Sequence, residues 1–331
     1  MEEYILDLSS RTYSELQEAL KDKSIDVVER YENLGMLLVR ADSENIDELA
    51  REGIVKSYSR DIDLQVNRYT VDNDEFERVK NDWGYLRVNS AYANERGLTG
   101  KGVKVAVFDT GIDAYHPYLI DNYRGFVDIP YGMSDPYDDD GHGTHVAGII
   151  KTVAPESEIY AYKVHTHEGA NRLSDILKGL DRMVGDGIDV VNMSFGLDTA
   201  EEREGLPVDE ANEILNNACK AAYDKGLFLV AAAGNEGKPA DPKNGRPPLS
   251  PANSEVTLSV GAATSGNTMA WFSNRGFDIA APGVDILSSV PGGRYEAWSG
   301  TSMATPHISC LLYTSDAADE LDGVDLGGRR I

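Results

Sequence analysis

Short apolar runs alternate with amphipathic segments through most of this chain, and that alternation constrains its fold more than any single residue does. Val103–Phe108, Ile159–Val164, Ile188–Met193 and Leu227–Ala232 are brief and largely apolar on both faces. Such runs read as strands buried in a parallel sheet. Helical patterns lie between them, from His142 onward, over Arg172–Val184 and over Asp209–Lys225. The alternation predicts an α/β fold, a doubly wound parallel sheet with helices on both faces and ligands at the carboxyl ends of its strands. Asp109 and Asn235 fall at such ends, while His142 and Ser302 begin helices, where the positive dipole end favours a developing negative charge.

The first 65 residues read as a separate unit. Tyr4–Leu8 alternates like a strand and Tyr13–Lys21 is helical; Val27–Leu34 and Met36–Ala41 make two strands around Gly35. Glu44–Arg51 is a second helix and Ile54–Leu64 returns to alternation. The order βαββαβ is that of a small α+β, ferredoxin-like domain. Residues 66–82 form a polar, acidic linker of the kind in which proteolytic cleavage concentrates. The main domain is expected over 83–309, and 310–331 stands apart from it.

The 331 residues carry 56 acidic against 31 basic side chains, a net charge of −25. That balance argues against nucleic acid and anionic membranes as partners, since both require a basic face. No apolar stretch approaches the roughly 20 residues needed to span a bilayer. Met1 leads directly into E-E-Y-I-L-D-L, without the basic and apolar regions of a signal peptide, which taken literally means a cytoplasmic protein. Cys219 and Cys310 do not suggest a disulfide framework.

Four blocks carry chemistry. The octapeptide G-T-S-M-A-T-P-H at 300–307 sets Ser302 among small residues at a helix start; V-A-V-F-D-T-G carries Asp109, and D-D-D-G-H-G-T-H carries His142. A serine hydroxyl attacks only when a base takes its proton and a third group orients that base. Taken singly, Asp109 is a turn cap, Asn235 a loop asparagine, Ser302 a helix N-cap, and His142 with His145 a pair at metal-ligand spacing; the H-E-x-x-H pattern of a zinc protease is absent. Together, in the order Asp, His, Ser, they resemble the subtilisin-like serine proteases, the subtilases, from about Trp83 to Ser309. A-A-A-G-N-E-G at 231–237 is similar to that family's oxyanion block.

The resemblance implies a serine endopeptidase made as a zymogen, with Asp109, His142 and Ser302 as triad and Asn235 in the oxyanion hole. It implies a substrate-binding strand at N-M-S-F-G-L and a pocket for the residue before the scissile bond, lined by Ser194, Phe195, Gly196, Ala231, Ala232, Ala233 and Gly234. Phe195 and the alanines suggest an apolar or aromatic preference; Glu236 at the rim would admit a basic residue. The first unit resembles the family's inhibitory propeptide, which lays its C-terminal tail along the cleft. Partners are then protein or peptide substrates and the chain's own propeptide, on a monomer, and autoprocessing is expected between Leu64 and Asp82. The family is commonly exported, against the literal reading of the N-terminus.

Two departures qualify this. No cofactor is required, and the loop that binds calcium tightly in many bacterial subtilisins is missing, since G-I-I-K-T-V-A-P-E-S at 148–157 runs straight on to the next strand. Asp138, Asp139 and Asp140 read as a solvated turn or a weak cation site; no metal ligand is assigned. After Ser309 the family pattern stops, and C-L-L-Y-T-S-D-A-A-D-E-L-D-G-V-D-L-G-G-R-R-I resembles a translated sequencing adaptor. A chain cut short there is expected to lack part of its catalytic domain and with it activity. Of the rival readings, an α/β-hydrolase esterase lacks G-x-S-x-G, and a binding module would not require all four polar residues.

Overall fold

The computed structural model describes residues 2–8, 12–61, 63–66, 83–166, 171–197 and 208–314. His167, most of the expected processing segment and most of the divergent tail lie outside them.

The first unit runs β1 (Glu2–Asp7), α1 (Tyr13–Asp22), β2 (Asp26–Tyr31), β3 (Met36–Ala41), α2 (Ser43–Arg51) and β4 (Ser57–Arg60). Its antiparallel sheet has the order β2-β3-β1-β4. One sheet face and the two helices close a small core around Leu6, Leu37, Ile46 and Leu49. Helix α1 starts on a capping box, in which the Glu15 carboxylate accepts from the Thr12 N–H at 2.7 Å. The expected strand Ile54–Leu64 is divided, because a further strand β5 (Asp63–Val66) leaves this sheet altogether.

After two short helices, α3 (Trp83–Arg87) and α4 (Ser90–Asn94), the main domain contains β6 (Lys104–Asp109), β7 (Tyr123–Asp128), α5 (His142–Val153), β8 (Glu158–Lys163), β9 (Asn171–Arg172) and α6 (Leu173–Asp186). It continues with β10 (Val190–Met193), β11 (Phe195–Leu197), α7 (Val208–Asp224), β12 (Phe228–Ala232), β13 (Thr257–Ala263), β14 (Ile279–Pro282), the hairpin β15 (Ile286–Val290) and β16 (Arg294–Trp298), and α8 (Thr301–Thr314). Seven parallel strands form one sheet in the order β14-β13-β12-β10-β6-β8-β7. This is the expected doubly wound parallel sheet. Three of its strands, β7, β13 and β14, escaped sequence reading: Y-R-G-F-V-D and I-A-A-P are edge strands too short and mixed to show a period.

From β6 the chain fills the β8-β7 side and then crosses to β10 and beyond, so the winding reverses between β6 and β10. The crevice of a doubly wound sheet opens at such a reversal. Asp109 closes β6 and Ser194 follows β10, so both sit at its mouth. Helices α5 and α8 pack on one face of the sheet with Val107, Val190 and Val230, and α6 and α7 on the other with Phe108, Val191 and Leu229. Helix α5 is buried almost all round, which its lack of a polar stripe requires.

The first unit docks on the α6–α7 face, with Ile5, Tyr31, Met36 and Leu38 joining that core. The Tyr31 hydroxyl donates to the Ser174 carbonyl at 3.1 Å, and the Asn33 N–H to the Asp181 carboxylate at 2.6 Å. Strand β5 lies between β11 and β9, antiparallel to both, with Val66 opposite Phe195, Gln65 opposite Gly196 and Leu64 opposite Leu197.

Asp61, beside β5, caps the first turn of α6 by accepting from the Ser174 N–H and hydroxyl. Burial pushes its carboxyl up to about 6, against the lowering effect of those bonds and of Arg172. A carboxyl raised in the folded chain binds more protons there than in the unfolded one, so its contribution to stability is full below the ordinary value of 3.8 and is lost as pH rises through about 6. Thermal unfolding followed across this interval should show a fall in midpoint toward the higher pH, and Asp61→Asn should flatten it.

Candidate active site

Asp109 and His142 are brought together by a strand end and a helix start. Asp109 is the last residue of β6, His142 the first of α5, and both side chains are buried. The His142 Nδ1 lies 2.7 Å from Asp109 Oδ1, which also accepts the Thr110 N–H at 2.7 Å. A carboxylate only accepts, so Nδ1 carries a proton, and in the neutral ring Nε2 presents its lone pair. Among the described residues Nε2 has no hydrogen-bond partner. Burial alone would raise the Asp109 carboxyl, but the charge and hydrogen bond of His142, with lesser help from His165 and the Thr110 N–H, outweigh it and hold the group below its ordinary range.

The segments entering α5 explain the glycines and acids of D-D-D-G-H-G. Gly141 precedes the helix at φ +95, a left-handed conformation that a side chain resists. A Cβ on Gly143 would run into the Gly111 carbonyl oxygen, so only glycine lets the start of α5 approach the strand end bearing Asp109. Asp138 holds both sides: Oδ1 accepts the Thr110 hydroxyl and the Gly141 N–H, each at 2.8 Å, and Oδ2 accepts the Thr144 N–H at 2.8 Å and its hydroxyl at 2.6 Å. Asp139 is paired with Lys163. The acidic run therefore spends these oxygens on the protein, and among the described residues no group of three or more His, Cys, Asp or Glu is arranged to hold a metal.

Ser302 is the second residue of α8, which packs beside α5. Its hydroxyl donates to the Ser194 carbonyl at 2.9 Å, and the Ser194 hydroxyl returns a bond to the Ser302 carbonyl at 3.1 Å. The Ser302 hydroxyl is thus parked on the strand exit and not on His142. Asn235 follows β12, and its Oδ1 accepts from both the Thr301 N–H and hydroxyl at 2.9 Å. Since the Thr301 N–H can only donate, the amide orientation is fixed. The buried Nδ2 is left with no partner among the described residues.

Ala231 and Ala232 end β12, and Ala233 and Gly234 follow on its loop; Ala231, Ala232 and Ala233 are buried. The Phe195 ring turns inward, 5.6 Å from the Phe108 ring and 4.7 Å from His165, so Phe195 and Gly196 meet β5 through their backbones. Glu236 is anchored by the Asn274 amide at 2.6 Å, next to Gly234. The remaining described histidines are framework. His145 stacks on Trp298 at 4.6 Å and bonds the Glu296 carbonyl, and burial drives its pKa down to about 3. His116 bonds the Arg294 carbonyl and His307 the Met303 carbonyl. Burial likewise takes His165 down to about 3.

Sequence reasoning missed Thr110, Asp138 as a brace, Lys163 and Trp298. Lys163 left one signal, the single charge in the run Ile159–Val164.

Residues 100–314 match the profile of the Subtilase family. The chain is a subtilase. As such it is a serine endopeptidase. An alkaline protease of Alkalihalobacillus alcalophilus is 35% identical over 300 residues, covering 87% of this chain and 71% of that protein. Subtilisin BL of Lederbergia lenta is 40% identical over 238 residues, 69% of this chain and 81% of its own, and a Bacillus pumilus subtilisin 39% over 240 with the same two shares.

Gly143→Ala tests the close approach in this subtilase. The added methyl is expected to cost about 1–3 kcal/mol, as overpacking of a filled site does, and to part Asp109 from His142. A lowered denaturation midpoint together with slowed labelling by a fluorophosphonate would be the combined sign.

Proposed function

We propose that this subtilase is made as a zymogen and cleaves peptide bonds with Ser302 as nucleophile, His142 as general base, Asp109 as orienter and Asn235 in the oxyanion hole. The buried Nδ1-to-Asp109 bond of 2.7 Å, with Nε2 left open, carries the reading. A substrate carbonyl draws the Ser302 hydroxyl off the Ser194 carbonyl; its proton goes to Nε2 as Oγ bonds the carbonyl carbon, and Asp109 stabilises the imidazolium. The oxyanion takes the unpartnered Asn235 Nδ2–H and the Ser302 N–H at the start of α8. Collapse expels the amine, protonated by His142, and water repeats the sequence on the acyl-enzyme. No cofactor enters any step. Calcium is not required; of the acidic run, Asp138 answers to Thr110 and Thr144 and Asp139 to Lys163.

Strand β5 supports the zymogen reading. It fills the groove between β9 and β11 as an extended peptide would, with backbone pairing that demands no particular side chain. The first unit then acts as propeptide, an intramolecular inhibitor, and processing falls after Val66 in the segment up to Asp82. Specificity is broad, because pairing with β11 is a backbone affair. The small walls Ala231–Gly234 favour an apolar or aromatic residue before the scissile bond, with the carboxylate of Glu236 giving a basic one a second route. Substrates are proteins and peptides, and the enzyme works as a monomer.

The product of the full-length natural gene should hydrolyse a generic protein substrate, react with a fluorophosphonate and convert itself to a shorter form. Ser302→Ala should remove all three and leave the chain full length; an unchanged hydrolysis rate would sink the assignment. Asn235→Ala should lower turnover roughly 10²- to 10³-fold, a magnitude carried over from the matching asparagine of subtilisin and not obtained from this chain.

A further inference from the structure

The chemistry above uses no lysine or arginine, yet a lysine is buried beside it. Lys163 closes β8 directly opposite Asp109 of β6, and its side chain is fully buried. Its ammonium donates to the Thr110 carbonyl at 2.6 Å, the Asp139 carboxylate at 2.6 Å and the His165 carbonyl at 2.8 Å. The Tyr137 ring lies over it, 4.7 Å from Nζ. Three N–H groups meet three acceptors, the condition under which an ammonium survives away from water.

The three acceptors belong to segments that the active site must align. Thr110 directly follows Asp109, and Asp139 stands three residues before His142, in the turn that launches α5. His165 continues β8, and its N–H is given to the Asp109 carbonyl at 3.1 Å. All three N–H groups of Lys163 go elsewhere, so it does not compete with His142 for the Asp109 carboxylate.

We propose that Lys163 is the positioning residue that sets Asp109 against His142. The proposal rests on the triad reading above. Among the described residues, two acidic side chains of the turn before His142 reach the loop after Asp109: Asp138 through the Thr110 hydroxyl, which also accepts the Gly143 N–H, and Asp139 through Lys163, which holds the Thr110 carbonyl. The first fixes the helix start through its N–H groups; the second fixes the strand end through its backbone and supplies the charge that the acidic turn needs. Releasing the second lets the strand end move relative to the helix, and small misplacements of catalytic groups carry large costs in rate.

Lys163→Met keeps the apolar stem and deletes the three donors. With a fluorophosphonate, the variant should label the same final fraction of chains as the wild type but roughly 10- to 100-fold more slowly. On a peptide substrate the loss should fall on kcat, with KM within about twofold. A labelling rate equal to wild type overturns the proposal, because a merely stabilising lysine would change the number of folded chains and not the rate at which folded chains react. Failure of the wild type itself to label would instead strike the triad reading, and this proposal with it. Should Lys163→Met not fold by circular dichroism, Asp139→Ala carries the test from a side chain that is one-third exposed. It should slow labelling by a smaller factor of roughly threefold to tenfold, and an unchanged rate again overturns the proposal.

Discussion

A carboxylate taken out of water and bonded to an imidazole is the constraint around which this molecule is arranged. Asp109 and His142 are both buried, and a buried charge is tolerated only when its partners are held in place. Placing Asp109 at the end of a central strand and His142 at the start of a buried helix provides part of that rigidity, and the ties across the strand end and the helix start provide the rest. The connecting pieces follow from it. Gly143 is glycine because the helix start must come up against Gly111, and Asp138 is acidic because the Thr110 and Thr144 hydroxyls and several N–H groups converge on one point. Lys163 is a lysine because the strand-end carbonyl and the acidic turn both need a donor.

The reversal of winding between β6 and β10 gives that arrangement a direction. It opens the sheet where Asp109 ends one strand and Ser194 follows the next, and the Ser194 carbonyl there holds the Ser302 hydroxyl. The same chain segment continues into β11, whose edge pairs with β5. The carbonyl that holds the Ser302 hydroxyl and the strand edge that pairs with β5 are therefore carried by one run of backbone, Ser194 to Leu197, with no loop between them. On the proposed function, an extended peptide in the place of β5 would be held in register with the backbone that carries the Ser194 carbonyl.

Much of this was legible in the sequence, and the parts that were not have physical reasons. Central strands such as V-A-V-F and V-V-N-M are buried on both faces and so appear as unbroken apolar runs. Edge strands β7 and β14 are less buried, carry charge or proline, and lose the signal. The parting of β5 from β4 was hidden because both alternate, and a period of two says nothing about which sheet a strand joins. Within the site, Asp109, His142, Asn235 and Ser302 stood out because their blocks, taken together and in chain order, resemble those of the subtilases. Thr110 and Asp138 did not, because bracing depends on which carbonyl or hydroxyl lies opposite in space, and no spacing rule encodes that. The inward turn of the Phe195 ring was likewise invisible, since strand alternation names the face only once the sheet is known.

The polar atoms that the fold leaves unsatisfied complete the reasoning. A buried donor or acceptor without a partner costs about 1–3 kcal/mol, and a natural chain keeps few. Here His142 Nε2, Asn235 Nδ2 and Asp109 Oδ2 are all buried and all unpartnered among the described residues. Asn235 could not relieve its own cost by rotating, because Thr301 fixes the opposite end of the amide with two bonds. Nor can His142 turn its ring without surrendering the bond to Asp109. The fold therefore holds a lone pair and an N–H in fixed orientation at one end of the sheet, without a protein partner among the described residues. Groups fixed in that way gain most from a partner that carries a proton for one and a negative charge for the other, and under the proposed mechanism that partner is the tetrahedral intermediate and not the peptide itself.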